Sequence, residues 1–239
     1  MTDLARFEGL TKMSKQPALA VLAAGKAKLQ GDTELPPEAS IEEALGILEQ
    51  NEEYLDVFQL FAHGLPPREA TWWACLAARE MFSAEAELQP KCLKAAEDWV
   101  FKPTDEARVA CRDAMESAPP EDDTTLVAMA ATFAKGTLGA GELDGYDAPV
   151  GAIGGCIFSM VLISMFDDDE QVDYRAQLFV ERGIDIARGG NGNVEFTYVP
   201  KPEEDFIDED DDEEDDYDDF PDDPVDETMQ DNAAEGAPS

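Results

Sequence analysis

Basic residues are scarce in this chain of 239 residues: 17 Lys and Arg stand against 55 Asp and Glu, a formal charge of -38. A surface of that sign repels phosphate backbones and anionic headgroups, so direct nucleic-acid binding and electrostatic membrane attachment are not expected. Histidine is nearly missing, with His63 alone, and Cys75, Cys92, Cys111 and Cys156 lie 17, 19 and 45 residues apart with no CxxC pair. Zinc sites need tighter groupings, so neither a metal nor a cofactor is expected. There is no GxSxG elbow, Walker loop, HExxH or dinucleotide fingerprint. The glycine-rich stretches 136–141 and 189–192 each follow a helical segment instead of joining strand to helix, so they offer no phosphate cradle. Residues 1–15 lack the apolar run of a signal peptide. With four thiols set in apolar stretches, that points to reduced, buried cysteines and a cytoplasmic setting.

What is present is helical patterning. Residues 1–16 read as loosely ordered and 17–29 as an Ala-rich helical stretch. Ser40 and Glu43 form a capping box, followed by a stripe of Ile41, Leu45, Leu48, Leu55, Phe58 and Ala62 that predicts one helix to Gly64. Glu42, Glu49, Glu53 and Gln59 fall mostly outside this stripe. Near that helix's end, the macrodipole would favour protonated His63 as a capping group. Pro66 and Pro67 open a second helix with almost no polar face between positions 70 and 78, which marks it as central. Further helices are expected over 90–101, from an N-cap at Thr104, and over 124–135. Asp167 with Glu170 reads as another capping box, before a helix that ends at Gly189–Gly190. Residues 194–199 alternate like a strand without a partner and are expected as an extended arm on the body.

Residues 148–166 form a run of 19 without charge, so both a buried core helix and a membrane span must be weighed. Gly151 and Gly155 make a GxxxG, the spacing that lets helices approach closely. Acids flank the run on both sides with no base to orient it, which favours the buried helix. The expected fold is all-α, an irregular multi-helix bundle or array over 40–200. It is preceded by a partly ordered segment 1–39 and followed by a disordered acidic tail, 201–239.

The tail carries 20 acids and no base after Lys201, leaving 35 acids and 17 bases before it, a net of -18. Every position from Asp208 to Asp219 is acidic except Tyr217. Such a stretch repels itself and has too little apolar area to fold alone. It reads as a solubiliser or as a docking segment steered to a basic groove, with Phe206, Tyr217 and Phe220 as anchors. The run lacks the glycine and bidentate Glu of a calcium-binding loop.

Trp72 and Trp73 point about 100° apart on one helix and must meet different surroundings. Arg68 and Arg79 lie within cation-π reach of Trp72. Core packing is the ordinary fate of such tryptophans, and a partner-binding hot spot the sharper one. The candidate binding residues are Arg68, Trp72, Trp73, Arg79, Phe206, Tyr217 and Phe220.

The blocks Pro66-Pro67-Arg68-Glu69-Ala70-Thr71-Trp72-Trp73-Ala74, Trp99-Val100 with Pro103-Thr104-Asp105-Glu106, Thr132-Phe133-Ala134-Lys135-Gly136 and Gly183-Ile184-Asp185-Ile186-Ala187-Arg188-Gly189 carry a resemblance. Together they resemble a bacterial helical domain family of unknown function with a Pro-Arg-Arg-Glu-Ala-x-Trp-Trp signature, over roughly 50–190. Position 67 is Pro where that pattern has Arg. The family has no assigned catalytic residues, and its association with type VI secretion loci implies an adaptor or chaperone. The expectation is a non-enzymatic, protein-binding adaptor whose partner presents a basic surface. The alternatives are an acidic mimic of nucleic acid, or a small enzyme with scattered carboxylates.

Overall fold

Nine α-helices and three short 3-10 turns make up the regular structure among the described residues, 4–82 and 89–200, of the computed structural model. Among these residues the only β pairing is an isolated bridge between Thr137 and Asp147. The all-α expectation holds. The acidic tail, with the candidate anchors Phe206, Tyr217 and Phe220, lies outside the described residues.

The helices are α1 (Ala18–Ala24), α2 (Ile41–Gln50), α3 (Tyr54–Gly64), α4 (Pro67–Arg79), α5 (Lys91–Phe101), α6 (Asp105–Glu116), α7 (Thr125–Phe133), α8 (Ala152–Phe166) and α9 (Val172–Arg188). Several starts are where the sequence placed them. Ser40 accepts from Glu43 N while the Glu43 carboxylate accepts from Ser40 N at 2.9 Å, and Thr104 accepts from Ala107 N at 3.2 Å. α4 and α8 form the centre: α4 packs on α8, α5, α7 and α9, and α8 on α7, α4 and α3. A smaller apolar cluster of Cys92, Trp99, Val100, Cys111, Ala128 and Ala131 joins α5, α6 and α7.

The single helix expected from Ser40 to Gly64 is two. The chain breaks over Asn51–Glu53, where Glu52 takes φ +56° and the Asn51 amide donates to Ile47 O at 3.1 Å. α2 buries one stripe, but α3 buries Val57, Phe58, Leu60 and Phe61 around most of its circumference. A continuous helix would hold the two faces in one fixed register, and the break frees α3 to turn inward.

The polar side of α3 is not solvated either. Asp56 is fully buried and accepts from Gln30 N at 2.7 Å and Gly31 N at 2.9 Å, while Glu53 accepts from Thr33 N at 3.1 Å. Gln59 is also buried. The segment after α1 therefore lies over α3, and its own backbone donors pair with these carboxylates, as buried polar groups require.

Residues 4–16 are likewise better anchored than their composition suggested. Phe7, Leu10 and Met13 are buried. Lys12 N donates to Ala187 O and Ser14 N to Gly64 O, while Arg6 bridges Glu49 and Glu181, each at 2.7 Å. Three apolar residues spaced three apart pack a short 3-10 turn and its neighbours against α2 and α9.

α8 is 15 residues long, and among the described residues no helix is long and apolar enough to cross a membrane. Its close approaches differ from the GxxxG expectation. A Cβ at Gly155 would meet nothing, whereas one at Gly151 would lie 2.0 Å from Gly25 O and one at Gly154 2.3 Å from the His63 ring. Gly151, with φ +81°, and Gly154 are the packing glycines.

The box expected from Asp167 and Glu170 is also rearranged. Asp168 accepts from Glu170 N at 3.1 Å and starts a short 3-10 turn ahead of α9, while Asp167 faces Arg175 at 3.4 Å. α9 ends on Gly189 at φ +99°, as expected. Residues 194–199 form neither helix nor strand and pack on α9, with Phe196 and Tyr198 edge-on to Tyr174 at 5.3 and 5.9 Å, and Gln177 bonding both N and O of Val199.

Candidate functional site

The two adjacent tryptophans of α4 have opposite fates. Trp73 is 0 % exposed. Its ring lies 5.8 Å from Phe58 and 5.5 Å from Phe61, and its Nε1 donates to Phe179 O at 2.9 Å. It ties α3 and α9 to α4, and that burial removes it from any binding surface.

Trp72, one residue earlier, reaches the edge of the body. Its Nε1 donates to Asn191 O at 2.7 Å, the Phe101 ring meets it edge-on at 5.3 Å, and the Arg79 guanidinium lies 5.0 Å from its centroid. Arg79 is locked in that place by a 2.7 Å bond to Glu97, the main reason its protonated form is further favoured. Phe101 remains 67 % exposed. Arg68 does not stack on Trp72 as its spacing suggested; its Nε donates to Val100 O at 2.6 Å, which turns the guanidinium toward the end of α5.

Between these groups lies a cavity of about 340 Å³, lined by Lys12, Arg68, Trp72, Phe101, Ile186 and Asn191 among others. Trp72, Val100, Phe101 and Ile186 form apolar walls, and Lys12, Arg68, Glu69 and Asn191 polar ones. Two cations border it, Lys12 being paired with Glu69 at 3.1 Å. A mixed cavity of this kind, with an exposed aromatic at its rim, suits an inserted side chain that carries a polar group. Phe101, Lys12 and Asn191 were not singled out by the sequence. The exposed aromatic at the end of α5 was a readable signal, but its place beside Trp72 was not.

The cysteines carry no nucleophile. All four are unpaired and buried; burial pushes the Cys92 thiol up to about 11 and Cys111 to about 12, and holds Cys75 and Cys156 above their ordinary range. Such thiols stay protonated near neutrality. Among the described residues no group of three His, Cys, Asp or Glu could hold a metal ion.

The match to known families agrees with this body. A family model described as a family of unknown function, DUF6931, covers residues 44–187. The chain belongs to that family. No curated protein and no solved structure matches it. The DUF6931 span runs from inside α2 to the last turn of α9 and so contains Arg68, Trp72, Trp73, Arg79 and Phe101. Lys12 and Asn191, which complete the cavity, lie outside that span.

His63 departs from its expected capping role. Its ring is held between Gly25 and Gly154, where an added Cβ would come within 2.2 and 2.3 Å of it. That partial burial lowers its pKa, so desolvation outweighs the helix terminus. The folded chain then holds this proton more weakly than the unfolded chain, whose histidine titrates near ~6.5. Above that pH the side chain contributes no pH dependence. As pH falls through ~6.5 toward the lowered folded value, the unfolded state gains the proton first and stability declines. Thermal unfolding of wild type and His63→Asn between pH 8 and 5 checks this. The wild type should lose more stability across the window, and parallel curves would contradict it.

Proposed function

We propose that this DUF6931 protein is a non-enzymatic adaptor that binds another protein, with the Trp72 face of α4 as its contact surface. The supporting observation is the pairing of half-buried Trp72 with strongly exposed Phe101 over a cavity of mixed apolar and charged walls. Arg79 and Asn191 hold the Trp72 ring in position, so little side-chain freedom is left to lose on binding. Tryptophan and arginine in this setting are the residue types that dominate binding energies.

The occupant is a partner protein that inserts an apolar or aromatic side chain beside Phe101 and places a hydrogen-bonding or acidic group near Arg68. A basic area on the same partner would be attracted to the acidic C-terminal segment, with its 20 acids and no base. The reading extends to a bacterial secretion system as the setting, from the resemblance of the Pro66–Ala74 stretch, and to a cytoplasmic location, from the unpaired buried thiols.

The test begins with the full chain as bait, mass-spectrometric identification of its partner, and affinity measurement with both proteins purified. Phe101→Asp leaves the core untouched and places a charge in the proposed contact. It is expected to weaken binding about tenfold or more, and an unchanged affinity would remove this face from consideration.

A further inference from the structure

The Trp72 cavity reverses the charge of the chain that carries it. Its lining holds two bases, Lys12 and Arg68, against one acid, Glu69, while residues 1–201 carry a net of -18. Lys12 and Glu69 neutralise each other across 3.1 Å, which leaves Arg68 as the unbalanced charge.

That arginine is unlike the others. Arg6, Arg79, Arg108, Arg112, Arg175 and Arg182 each face a carboxylate, and Arg188 donates to two backbone carbonyls. Among the described residues Arg68 pairs with no carboxylate, and its one hydrogen bond runs from Nε to Val100 O at 2.6 Å. The bond fixes the head of the side chain but uses a single donor. Both terminal nitrogens stay available to grip an anion side by side. Phe101, 67 % exposed, directly follows Val100, so the guanidinium fork lies against the backbone that carries the exposed ring.

A residue that meets both must carry an apolar side chain and a carboxylate close together. A run of acids would find one unpaired cation and the repulsion of a strongly negative chain, so the carboxylate must be solitary, with neutral or basic residues beside it. A C-terminal residue supplies this combination, because side chain and carboxylate then belong to one residue whatever the charge upstream. We propose that the cavity captures the C-terminus of its partner. An aromatic last residue packs its ring against Phe101 and the edge of Trp72, and its carboxylate takes the two terminal nitrogens of Arg68. This rests on the adaptor reading of the Trp72 face and names the chemistry that the face selects.

The Trp72 indole N–H, bonded to Asn191 O at 2.7 Å, reports occupancy as one of three indole resonances, assigned by its absence in Trp72→Phe. Full-length protein is titrated with acetylated Lys-Gly-Phe bearing a free C-terminal carboxylate, with the same peptide as its amide, and with Lys-Gly-Ala as the free acid. A fourth probe, acetylated Lys-Phe-Asp-Gly as its amide, moves the acid to an internal position. The free-acid Phe peptide is expected to shift the resonance saturably and to bind about tenfold or more tightly than its amide. The Ala peptide and the internal acid should both bind more weakly than it does. Arg68→Gln, at an exposed position, should erase the preference for acid over amide while keeping the wild-type circular dichroism. Equal affinity for acid and amide, equal affinity for the internal acid, or no saturable shift with any peptide would each overturn the proposal in wild-type protein, without relying on a variant. A preference kept in folded Arg68→Gln would overturn it as well. The adaptor reading is tested separately by the partner affinity of Phe101→Asp: weakened binding there, beside any of these contrary results, removes only the terminal carboxylate.

Discussion

Trp73→Ala is expected to lower the unfolding free energy by about 4 kcal/mol, among the largest losses available to a single substitution in this chain. The ring is fully buried between Phe58 and Phe61, and α3, α4 and α9 all close on it. Truncation leaves a cavity that three helices must keep open or collapse into, and it deletes the bond to Phe179 O. For a body of this size each kcal/mol moves the melting temperature by roughly 2–4 °C, so a fall of about 10 °C or more should follow. Thermal or urea unfolding followed by far-UV circular dichroism measures this without relying on tryptophan fluorescence. A loss below about 1 kcal/mol would mean that Trp73 is not the keystone of the larger cluster.

Arg108→Ala should cost about 3 kcal/mol by a different route. The arginine is 1 % exposed. Its guanidinium donates to Thr132 O at 3.0 Å and Thr137 Oγ1 at 2.7 Å, and faces Asp105 at 3.2 Å and Asp144 at 3.4 Å. Both carboxylates are half exposed and would rehydrate once the cation is gone, which keeps the loss below that of a fully buried pair. The buried carbonyl and the Thr137 hydroxyl would not recover so easily. Arg108→Lys should not rescue, because an ammonium cannot reach acceptors on α6, the end of α7 and the following loop at once. Damage should also be local: the 136–147 loop, pinned by Thr137, is expected to become protease-sensitive in Arg108→Ala before the core unfolds. Cleavage elsewhere first, or wild-type stability, would contradict this role.

The two arginines Arg108 and Arg175 show where sequence patterning stops. A helix face is read by counting apolar residues at helical spacing, and by that rule an arginine marks the outside. Arg175 instead donates to Ser164 O at 2.7 Å and Glu80 O at 3.0 Å, satisfying carbonyls near the ends of two other helices. Those acceptors are 11 and 95 residues away and leave no local trace. Gln59, expected outside the apolar stripe, is buried for the same reason, since the segment covering that side of α3 comes from before α2. His63 was read from its own helix terminus, whereas two glycines from α8 and the end of α1 close on its ring and set its protonation. Local signals fared better. The caps at Ser40 and Thr104, the all-round apolar character of α4 and the stop at Gly189 depend on residues within a few positions, and the fold class followed from them.

The binding face was half legible. A double tryptophan on one helix requires two environments, but the helical angle alone does not tell which residue is inside. That choice depends on α9 lying over Trp73 and on the 189–191 turn reaching only the edge of Trp72. Neither contact can be read from positions 66–79.

The decisive comparison for the Trp72 face is the affinity of Trp72→Ala and of wild type for the purified partner. The variant should lose about 1–2 kcal/mol of stability, remain folded at the assay temperature, and bind about tenfold or more weakly. Wild-type affinity in that folded variant would contradict it.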